Sequence, residues 1–310
     1  MAIKFRNLEQ HLNDLDVFLD HMEKVWRDLG AGSGVKASMK SKLTKEIGKK
    51  ISGEILYDNS EPKAIYWLEI ITPFYDSITL HALEEQYEEP LGLRTIERKC
   101  FDTKQIEIVQ VAETSGYRDL YREYALVENH RERMALWLEE GLFFQEEPTD
   151  LDTEYFLLTK DYVEITGTMS YHAHQVSRDY WMYPEMNDLQ SRINLEKKVL
   201  SGKFGDLIPE ANIMVFHEGQ PIGYIVYVGV ECWGFKKVPW VFDIVVKPGY
   251  DGKGIGRELM KRSLNILTEM KFPIVGLSVT KDNYAKKLYD YLGFQPVDDF
   301  YEFINLNQDH

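Results

Sequence analysis

The stretch from Trp240 to Met260 constrains the fold more than any other part of this 310-residue chain. Its first seven residues, WVFDIVV, form a mostly apolar run that predicts a strand buried on both faces. Pro248 and Gly249 end that run, because neither residue continues a strand easily. A helical spacing of apolar residues begins at Ile255. We therefore predict a strand, a short turn and a helix in direct succession.

The predicted turn is rich in glycine. Gly252, Gly254 and Gly256 occupy every second position just before the helix. Glycine lets the backbone adopt positive φ and lets a ligand approach without a Cβ in the way. The first turn of a helix has four N–H groups without a partner inside the helix, and its dipole favours a negative charge by about 0.3–1 kcal/mol. The segment is therefore suited to bind a phosphate group.

Three kinds of glycine-rich phosphate loop can be compared with this turn. A Rossmann loop needs a third glycine at a spacing that is absent here, and a Walker loop needs Lys and Ser or Thr where Arg257 and Glu258 stand. Val246–Gly256 instead resembles the acyl-CoA loop of the GNAT superfamily of N-acetyltransferases, V-x-P-x-x-[RQ]-G-x-G-[IV]-G. Asp251 departs from that pattern. Its carboxylate disfavours a neighbouring diphosphate unless Lys253 or Arg257 compensates.

A second motif of the same family follows about 30 residues later. The apolar run Ile274–Val279 predicts a strand, and Asp282–Phe294 resembles the block N-x-x-A-x-x-x-Y-x-x-x-G-F. Tyr289 and Gly293 occupy the tyrosine and glycine positions of that block, whereas Asn283 lies one position late. The order and spacing of the two motifs carry more weight than either motif alone.

The resemblance implies an α/β (α+β) chain of two tandem GNAT-like domains, each a mixed, mostly antiparallel twisted sheet flanked by helices. Leu136–Leu142 repeats the spacing of Leu288–Phe294, at an offset of 152 residues. We expect domains at residues 1–148 and 149–310, although an unrelated α/β domain in the first half stays open. Strands are predicted in the first half at Ile55–Tyr57, Ala64–Ile71, Ser77–Leu83 and Ile106–Val111.

The second half has its own predicted elements. A first strand is expected at Phe156–Thr166, and helices at Ala173–Tyr183 and Leu189–Ser201. The segments Ile213–His217 and Ile222–Val228 predict a hairpin. His172 and His174 fall on opposite sides of a helix, so we do not interpret them as metal ligands.

The first half lacks the glycine turn. After its third predicted strand, Glu84–Gly92 contains four carboxylates and one glycine. Their repulsion opposes a diphosphate, and Trp137 has no hydroxyl to match that of Tyr289. We expect a degenerate first domain that does not bind CoA and that either completes the acceptor pocket or acts as a scaffold.

The chemistry implied by the resemblance is transfer of an acetyl group from acetyl-CoA to a primary amine, by direct attack in a ternary complex. An amine with a pKa near 10 must first lose a proton. A general base contributes on the order of 10²–10⁴-fold to such a step. Asp243 is the expected base, with Glu231 as the second candidate. Alternatively, Asp243 orders a water molecule or a neighbouring loop.

The resemblance also assigns the other site residues. Tyr289 is expected to be the acid that protonates the CoA thiolate. The backbone of Val245 and Val246 would hold the pantetheine arm and polarise the thioester, and Asn283 would contact the same arm. The residues expected to hold the diphosphate are Gly252, Lys253, Gly254, Ile255, Gly256 and Arg257. No metal site is expected.

The composition bears on partners and location. A net charge of −15 does not favour nucleic acid or an anionic membrane. Cys100 and Cys232 are the only cysteines, so we expect neither a disulfide framework nor a cysteine metal cluster. No apolar run of about 18 residues and no signal-peptide pattern is present, which leads us to expect a cytoplasmic protein.

Two other functions stay open. Asp251 leaves room for a non-catalytic acyl-CoA-binding sensor or regulatory protein, and a roomier tunnel would allow a longer acyl chain. The expected partner is a small-molecule or peptide amine. The sequence specifies neither its identity nor the oligomeric state.

Overall fold

The computed structural model describes residues 3–28, 35–70, 75–98, 106–112, 116–124, 127–147, 149, 151–177, 180 and 183–304. The chain divides into two compact units. Unit 1 comprises Met1–Glu132 with Asp298–His310, and unit 2 comprises Arg133–Val297. The join expected between residues 148 and 149 lies within unit 2, and Pro148 itself is outside the described residues.

Unit 1 contains a mixed, mostly antiparallel sheet with helices. Neighbouring strands pair antiparallel from β1 to β4, β4 and β5 pair parallel, and Phe300–Ile304 of β13 pairs antiparallel with β5. Its elements are β1 (Lys4–Asn7), α1 (Leu15–Asp28), α2 (Val35–Glu46), β2 (Ile51–Asp58), β3 (Glu61–Ile70), β4 (Tyr75–Ala82), α3 (Glu88–Glu97), β5 (Ile106–Ala112), α4 (Tyr117–Glu123), β6 (Val127–Trp137, which continues into unit 2) and the end of β13 (Gln295–Ile304).

Unit 2 is also built on a mixed sheet, in the order β12-β11-β10-β9-β7. All of these pairs are antiparallel except β11 with β12. Its elements are β7 (Thr153–Leu157), α5 (Val163–His174), α6 (Pro184–Asn187), α7 (Leu189–Leu200), β8 (Asp206–Leu207), β9 (Ile213–His217), β10 (Gln220–Cys232), β11 (Phe235–Val246), α8 (Ile255–Glu269), β12 (Ile274–Thr280) and α9 (Lys286–Leu292).

Both units follow the same order of elements, apart from the short β8 and α6. A strand and two helices precede three strands, and a helix, a strand, a helix and a final strand complete the order. This confirms the predicted fold class. The predicted offset of 152 residues is wrong, since the equivalent strands β5 and β12 begin 168 residues apart, at Ile106 and Ile274.

The wrong offset has a physical cause. The spacing of Leu136–Leu142 resembles that of a helix, but β6 runs to Trp137 as a strand. Leu136 and Leu138 are buried, and Trp137 between them is exposed. This period of two is the strand pattern, so the leucines that suggested a helix belong to one face of a sheet.

The first elements of unit 2 also differ from those predicted. The strand predicted over Phe156–Thr166 is wrong beyond Leu157, and α5 occupies Val163–His174. β-branched residues favour a strand locally. Packing of α5 on α7 overrides that preference, because a Cβ at Gly167 would lie only 2.7 Å from Ile193 Cα. The predicted helix at Ala173–Tyr183 lies partly outside the described residues.

Two apolar clusters cover the two faces of the unit 2 sheet. On one face, Tyr227 and Val241 pack with Leu259 of α8 and Leu292 of α9. On the other face, Tyr224 and Val245 pack with residues of α5 and α7, including Met169 and Val199. The carboxyl end of β11 is therefore flanked by helices on both sides.

Candidate active site

A β-bulge decides which way Asp243 faces. Asp243 opposes Val226 on β10, whereas Val241 opposes the next residue, Tyr227, so Phe242 is an extra residue in the ladder. Val241 packs under α8, but the Asp243 side chain contacts α5 and α7. In a regular strand without a bulge, strict alternation would put Asp243 on the same face as Val241, two residues earlier.

The Asp243 carboxylate is held by side chains from three elements. Its Oδ2 atom lies 2.9 Å from Ser170 Oγ, 2.9 Å from the Tyr224 hydroxyl and 2.5 Å from Arg192 Nη2. Its Oδ1 atom lies 3.2 Å from His174 Nε2. Burial acts to raise the pKa of Asp243, but the charges of His174 and Arg192 and the hydrogen bonds hold that pKa well below its usual range. Asp243 is therefore ionised at neutral pH and is a weak proton acceptor.

Glu196 completes the buried charge network. Arg192, which is fully buried, donates to Glu196 Oε1 at 2.5 Å, and the Tyr224 hydroxyl lies 3.0 Å from the same oxygen. Burial raises the pKa of Glu196. One guanidinium is thus matched by the ionised carboxylate of Asp243 and by a second carboxyl group, Glu196, whose charged form is disfavoured by burial.

The glycine turn forms an open concave surface at the start of α8. Gly252 and Gly254 have φ of +73° and +81°, a conformation that favours glycine. A Cβ at Gly252 would meet no atom within 4 Å, so the space beside it is open. Gly254 caps α8 and offers no side-chain acceptor to the first N–H groups of the helix. These unfilled donors and the open space fit a diphosphate.

The charged side chains near the glycine turn differ in whether they already have a partner. The Asp251 carboxylate accepts a hydrogen bond from the Gly249 N–H at 3.1 Å. Arg257 Nη2 lies 2.8 Å from a Glu147 carboxylate oxygen. Lys253 is exposed, and no residue described by the structure forms an ion pair with it. Lys253 is thus available to an anion, whereas Arg257 already has a carboxylate partner.

The ladder pairing between β11 and β12 does not extend to the carboxyl ends of the two strands. The two parallel strands pair at Trp240 and Gly276, while β11 runs on to Val246 and β12 to Thr280. No further ladder pair joins the described residues of these two strands. The edge of β11 that carries Val245 and Val246 therefore has backbone groups available at the carboxyl end of the sheet, where open α/β sheets bind ligands.

Tyr289 lies on the opposite side of the sheet from α5. Its side chain is 6% exposed, and its ring packs against Phe294 with centroids 5.9 Å apart. Within the described residues its hydroxyl makes no hydrogen bond. Burial, and then the negative charge of Asp243, raise the pKa of Tyr289. The phenol therefore keeps its proton at neutral pH and is a potential donor.

Asn283 makes a local hydrogen bond, and Glu231 lies in a hairpin away from Asp243. Asn283 Oδ1 accepts a hydrogen bond from Ala285 N–H at 2.9 Å, so the side chain serves the turn before α9. Glu231 is exposed near the end of the β10–β11 hairpin. It lies five residues beyond Val226, the partner of Asp243, or about 16 Å along the strand.

A cavity of about 880 Å³ lies beside α5 and the glycine turn. Its size is within the range of small-molecule sites, which is about 300–1,000 Å³. Pro248 and Asp251 bring the turn to its wall, and His172 and Val176 bring the end of α5 that carries His174. The full lining is Glu164, Ile165, Thr168, Met169, His172, Ala173, Gln175, Val176, Pro221, Lys247, Pro248 and Asp251.

His174 is the residue of this site that sequence reasoning missed. The sequence pattern assigns it no role, because His172 and His174 fall on opposite sides of a helix and do not form a metal site. The structure separates the two, since His172 lines the cavity and His174 contacts Asp243. The signal was its spacing of four residues from Ser170, which places both side chains on the helix face that meets β11.

The matching family model covers much of this site. Residues 173–294 match the model of the acetyltransferase (GNAT) family. These residues form a GNAT domain. The match takes in the end of α5, the glycine turn and Tyr289, and ends at Phe294. It confirms the resemblance noted in the two sequence motifs.

Solved structures share the fold of the whole chain. A GCN5-related N-acetyltransferase from Sphaerobacter thermophilus is 12% identical, covers 98% of this chain and 95% of its own, and has a TM-score of 0.64. A tandem GNAT protein from the clavulanic acid biosynthesis pathway is 13% identical, with 98% of each chain covered and a TM-score of 0.53. A GNAT-family acetyltransferase from Colwellia psychrerythraea is 13% identical, with coverage of 98% and 99% and a TM-score of 0.51.

The GNAT domain is thus part of a tandem GNAT fold. No curated protein matches the chain in sequence. Among the described residues, no group of three or more His, Cys, Asp or Glu side chains is placed to hold a metal ion. None of the helices in that part of the chain is long and apolar enough to cross a membrane.

Proposed function

We propose that this protein binds acetyl-CoA and transfers its acetyl group to a primary amine by direct attack in a ternary complex. The observation that carries the proposal is the cavity of about 880 Å³ that the glycine turn and α5 line together. The GNAT family and fold are those of acetyltransferases, which supports acyl transfer in general. The amine and the order of events are the parts that we add.

The chain offers a group for each part of the cofactor. Backbone N–H groups from Gly252 to Arg257 would hold the diphosphate, with Lys253 adding a positive charge. The free edge of β11 at Val245 and Val246 would hold the pantetheine arm. Asn283 would reach the same arm through its amide nitrogen, because its oxygen already serves Ala285. When bound, acetyl-CoA supplies an activated acetyl group as a thioester.

Three tasks then fall to the protein. A backbone N–H of β11 polarises the thioester carbonyl and stabilises the developing oxyanion. Tyr289, which stays protonated, donates its proton to the departing CoA sulfur. The amine must also give up a proton, and Asp243 belongs to that proton path. Because its pKa is low, Asp243 is better suited to orient another group than to accept the proton of the amine itself.

The decisive experiment combines binding with turnover. Isothermal titration should show acetyl-CoA binding, and a thiol-release assay should detect transfer to a member of a panel of amino acids, polyamines, aminoglycosides and peptides. Binding without thiol release across the panel would instead support an acyl-CoA sensor. Absence of binding would refute both functions.

A further inference from the structure

We infer that the amine acceptor is an aliphatic diamine or polyamine, and that Glu164 and Asp251 bind the ammonium group that does not react. The inference rests on the proposed acyl transfer and names the substrate class of the same site. Both residues line the cavity of about 880 Å³, Glu164 from the first turn of α5 and Asp251 from the glycine turn. Each of the two elements that line the cavity together thus contributes a carboxylate.

The carboxylates of the cavity have no cationic partner. Within the described part of the chain, neither Glu164 nor Asp251 forms an ion pair. Asp251 Oδ2 accepts a hydrogen bond from the Gly249 N–H at 3.1 Å, which leaves Oδ1 for another donor. Lys247 is the one lysine or arginine in the lining, beside a single histidine, His172. The cavity therefore presents two carboxylates for one ammonium group.

The cofactor does not account for these carboxylates. The diphosphate of CoA is negatively charged, and like charges at close range repel each other. Lys247 has the sign that suits the cofactor, whereas Glu164 and Asp251 have the sign that suits a cation. We therefore assign the two carboxylates to the acceptor. This assignment also gives a purpose to the departure of Asp251 from the acyl-CoA loop pattern.

The apolar part of the lining favours a ligand with a methylene chain. Ile165, Met169 and Val176 line the cavity at spacings near those of one helix face. Ile165 is 41% exposed and Val176 is 95% exposed, so a ligand can cover apolar surface there. From Ile165 to Ala173 this side of α5 is about 12 Å long. An extended aliphatic chain with an amino group at each end matches both the length and the chemistry of the wall.

The transfer step leaves one ammonium group for the carboxylates. Amines with a pKa near 10 are mostly protonated at neutral pH. One amino group gives a proton to solvent, and its nitrogen then forms a bond to the acetyl carbon. The carbon–sulfur bond breaks, the sulfur takes a proton from Tyr289, and the proton that the new amide releases restores Tyr289. The product has one positive charge fewer than the substrate, so the carboxylates hold it less strongly and its release is favoured.

Three acceptors with the same carbon chain test the inference. Putrescine has a second ammonium group, butylamine has none, and γ-aminobutyrate has a carboxylate in its place. We expect kcat/KM to fall in that order, by about two- to fivefold from putrescine to butylamine, the scale of an exposed ion pair. Butylamine or γ-aminobutyrate used as well as putrescine would overturn the inference.

Variants locate the effect in the cavity. Glu164→Gln and Asp251→Asn, both at exposed positions, should each raise the KM for putrescine about two- to fivefold and leave kcat and the KM for butylamine unchanged. Glu154→Gln removes an exposed carboxylate of β7 outside the cavity lining and is the matched control. An unchanged KM for putrescine in both cavity variants would also overturn the inference.

Calorimetry with acetyl-CoA on the same samples separates two kinds of failure. A wild type that binds acetyl-CoA and acetylates other amines, but no diamine or polyamine, would overturn this inference alone. A wild type that releases no thiol with any amine would defeat the proposed function.

Discussion

Phe242 determines the chemistry of the site although it carries no reactive group. As the extra residue of the bulge, it turns Asp243 toward α5 and α7. The sequence predicts the strand, since its residues are almost all apolar. It does not predict the bulge, because a bulge depends on the register of two strands and not on one strand alone. The Asp243–His174 contact was hidden for the same reason.

A residue-scale prediction concerns Tyr289. Tyr289→Phe keeps the packing against Phe294 and removes only the proton donor. We expect kcat to fall by about 10²-fold, at the low end of general acid effects because a thiolate leaves readily. Calorimetry should show unchanged acetyl-CoA affinity. Tyr284→Phe, 78% exposed just before α9, is the control. Equal rates in the two variants would remove Tyr289 from the mechanism.

At the scale of elements, the glycine turn and α5 show what sequence patterns can and cannot predict. The strand–turn–helix unit and the helix α7 lie close to where the patterns placed them. The start of α5 was missed because β-branched residues masked a helix that is stabilised by packing on α7. Spacing rules describe only the local preference of a segment. They cannot predict the packing of Gly167 against Ile193, because that is a tertiary contact.

The turn can be tested with two glycines of matched geometry. Gly252 and Gly219 have φ of +73° and +71°, and a Cβ at either would meet nothing within 4 Å. Replacement of either by alanine should cost about 1–2 kcal/mol of stability, because both positions are left-handed. Only Gly252→Ala should weaken acetyl-CoA binding, by about tenfold, or about 1.4 kcal/mol. Equal affinities in a calorimetric titration would show that the turn is not the diphosphate site.

A second element-scale prediction concerns the segment that runs beside α8. Glu147 holds Arg257, and its neighbour Glu146 holds Arg262. Glu147→Gln should release Arg257 toward the diphosphate and tighten acetyl-CoA binding about two- to fivefold, the scale of an exposed ion pair. Glu146→Gln should leave the affinity unchanged. Weaker binding in Glu147→Gln would mean that Arg257 does not contact the cofactor.

For the whole molecule, composition and motif order predicted a tandem fold, and the order of elements confirms it. The offset between the two units could not be obtained from the short segment Leu136–Leu142 alone. Unit 2 contains the glycine turn and Tyr289, whereas unit 1 has Glu84–Glu88 in the equivalent region. The repeat is therefore visible in the order of elements and hardly visible in the residues.

At the scale of the whole molecule, we predict that unit 1 becomes less stable as the pH falls. Burial acts to raise the pKa of Glu54, but Arg94, Arg98 and Tyr66 lower it from 4.5 to about 2. A depressed folded-state pKa stabilises the fold above pH 4.5, and this contribution is lost as pH falls toward 2. Glu54→Gln should lose about 1–3 kcal/mol at pH 7 and less at pH 3.

Urea denaturation at the two pH values measures this difference. Glu61→Gln is the control, because Glu61 is 72% exposed and pairs with Lys63 at the surface. We expect that variant to match the wild type within about 1 kcal/mol at both pH values. Equal losses in Glu54→Gln at pH 7 and pH 3 would contradict the assignment.

The last strand has a consequence for how the chain is made. β5 pairs with β4 on one side and with Phe300–Ile304 on the other, so unit 1 lacks that second partner until all of Arg133–Val297 has been synthesised. At about 5–20 residues per second, a ribosome needs roughly 8–33 s to add those residues. During that interval the nascent chain has an open edge at β5, while unit 2 emerges without interruption. Unit 2 can thus reach its native state first, whereas unit 1 must wait until Phe300–Ile304 has been translated.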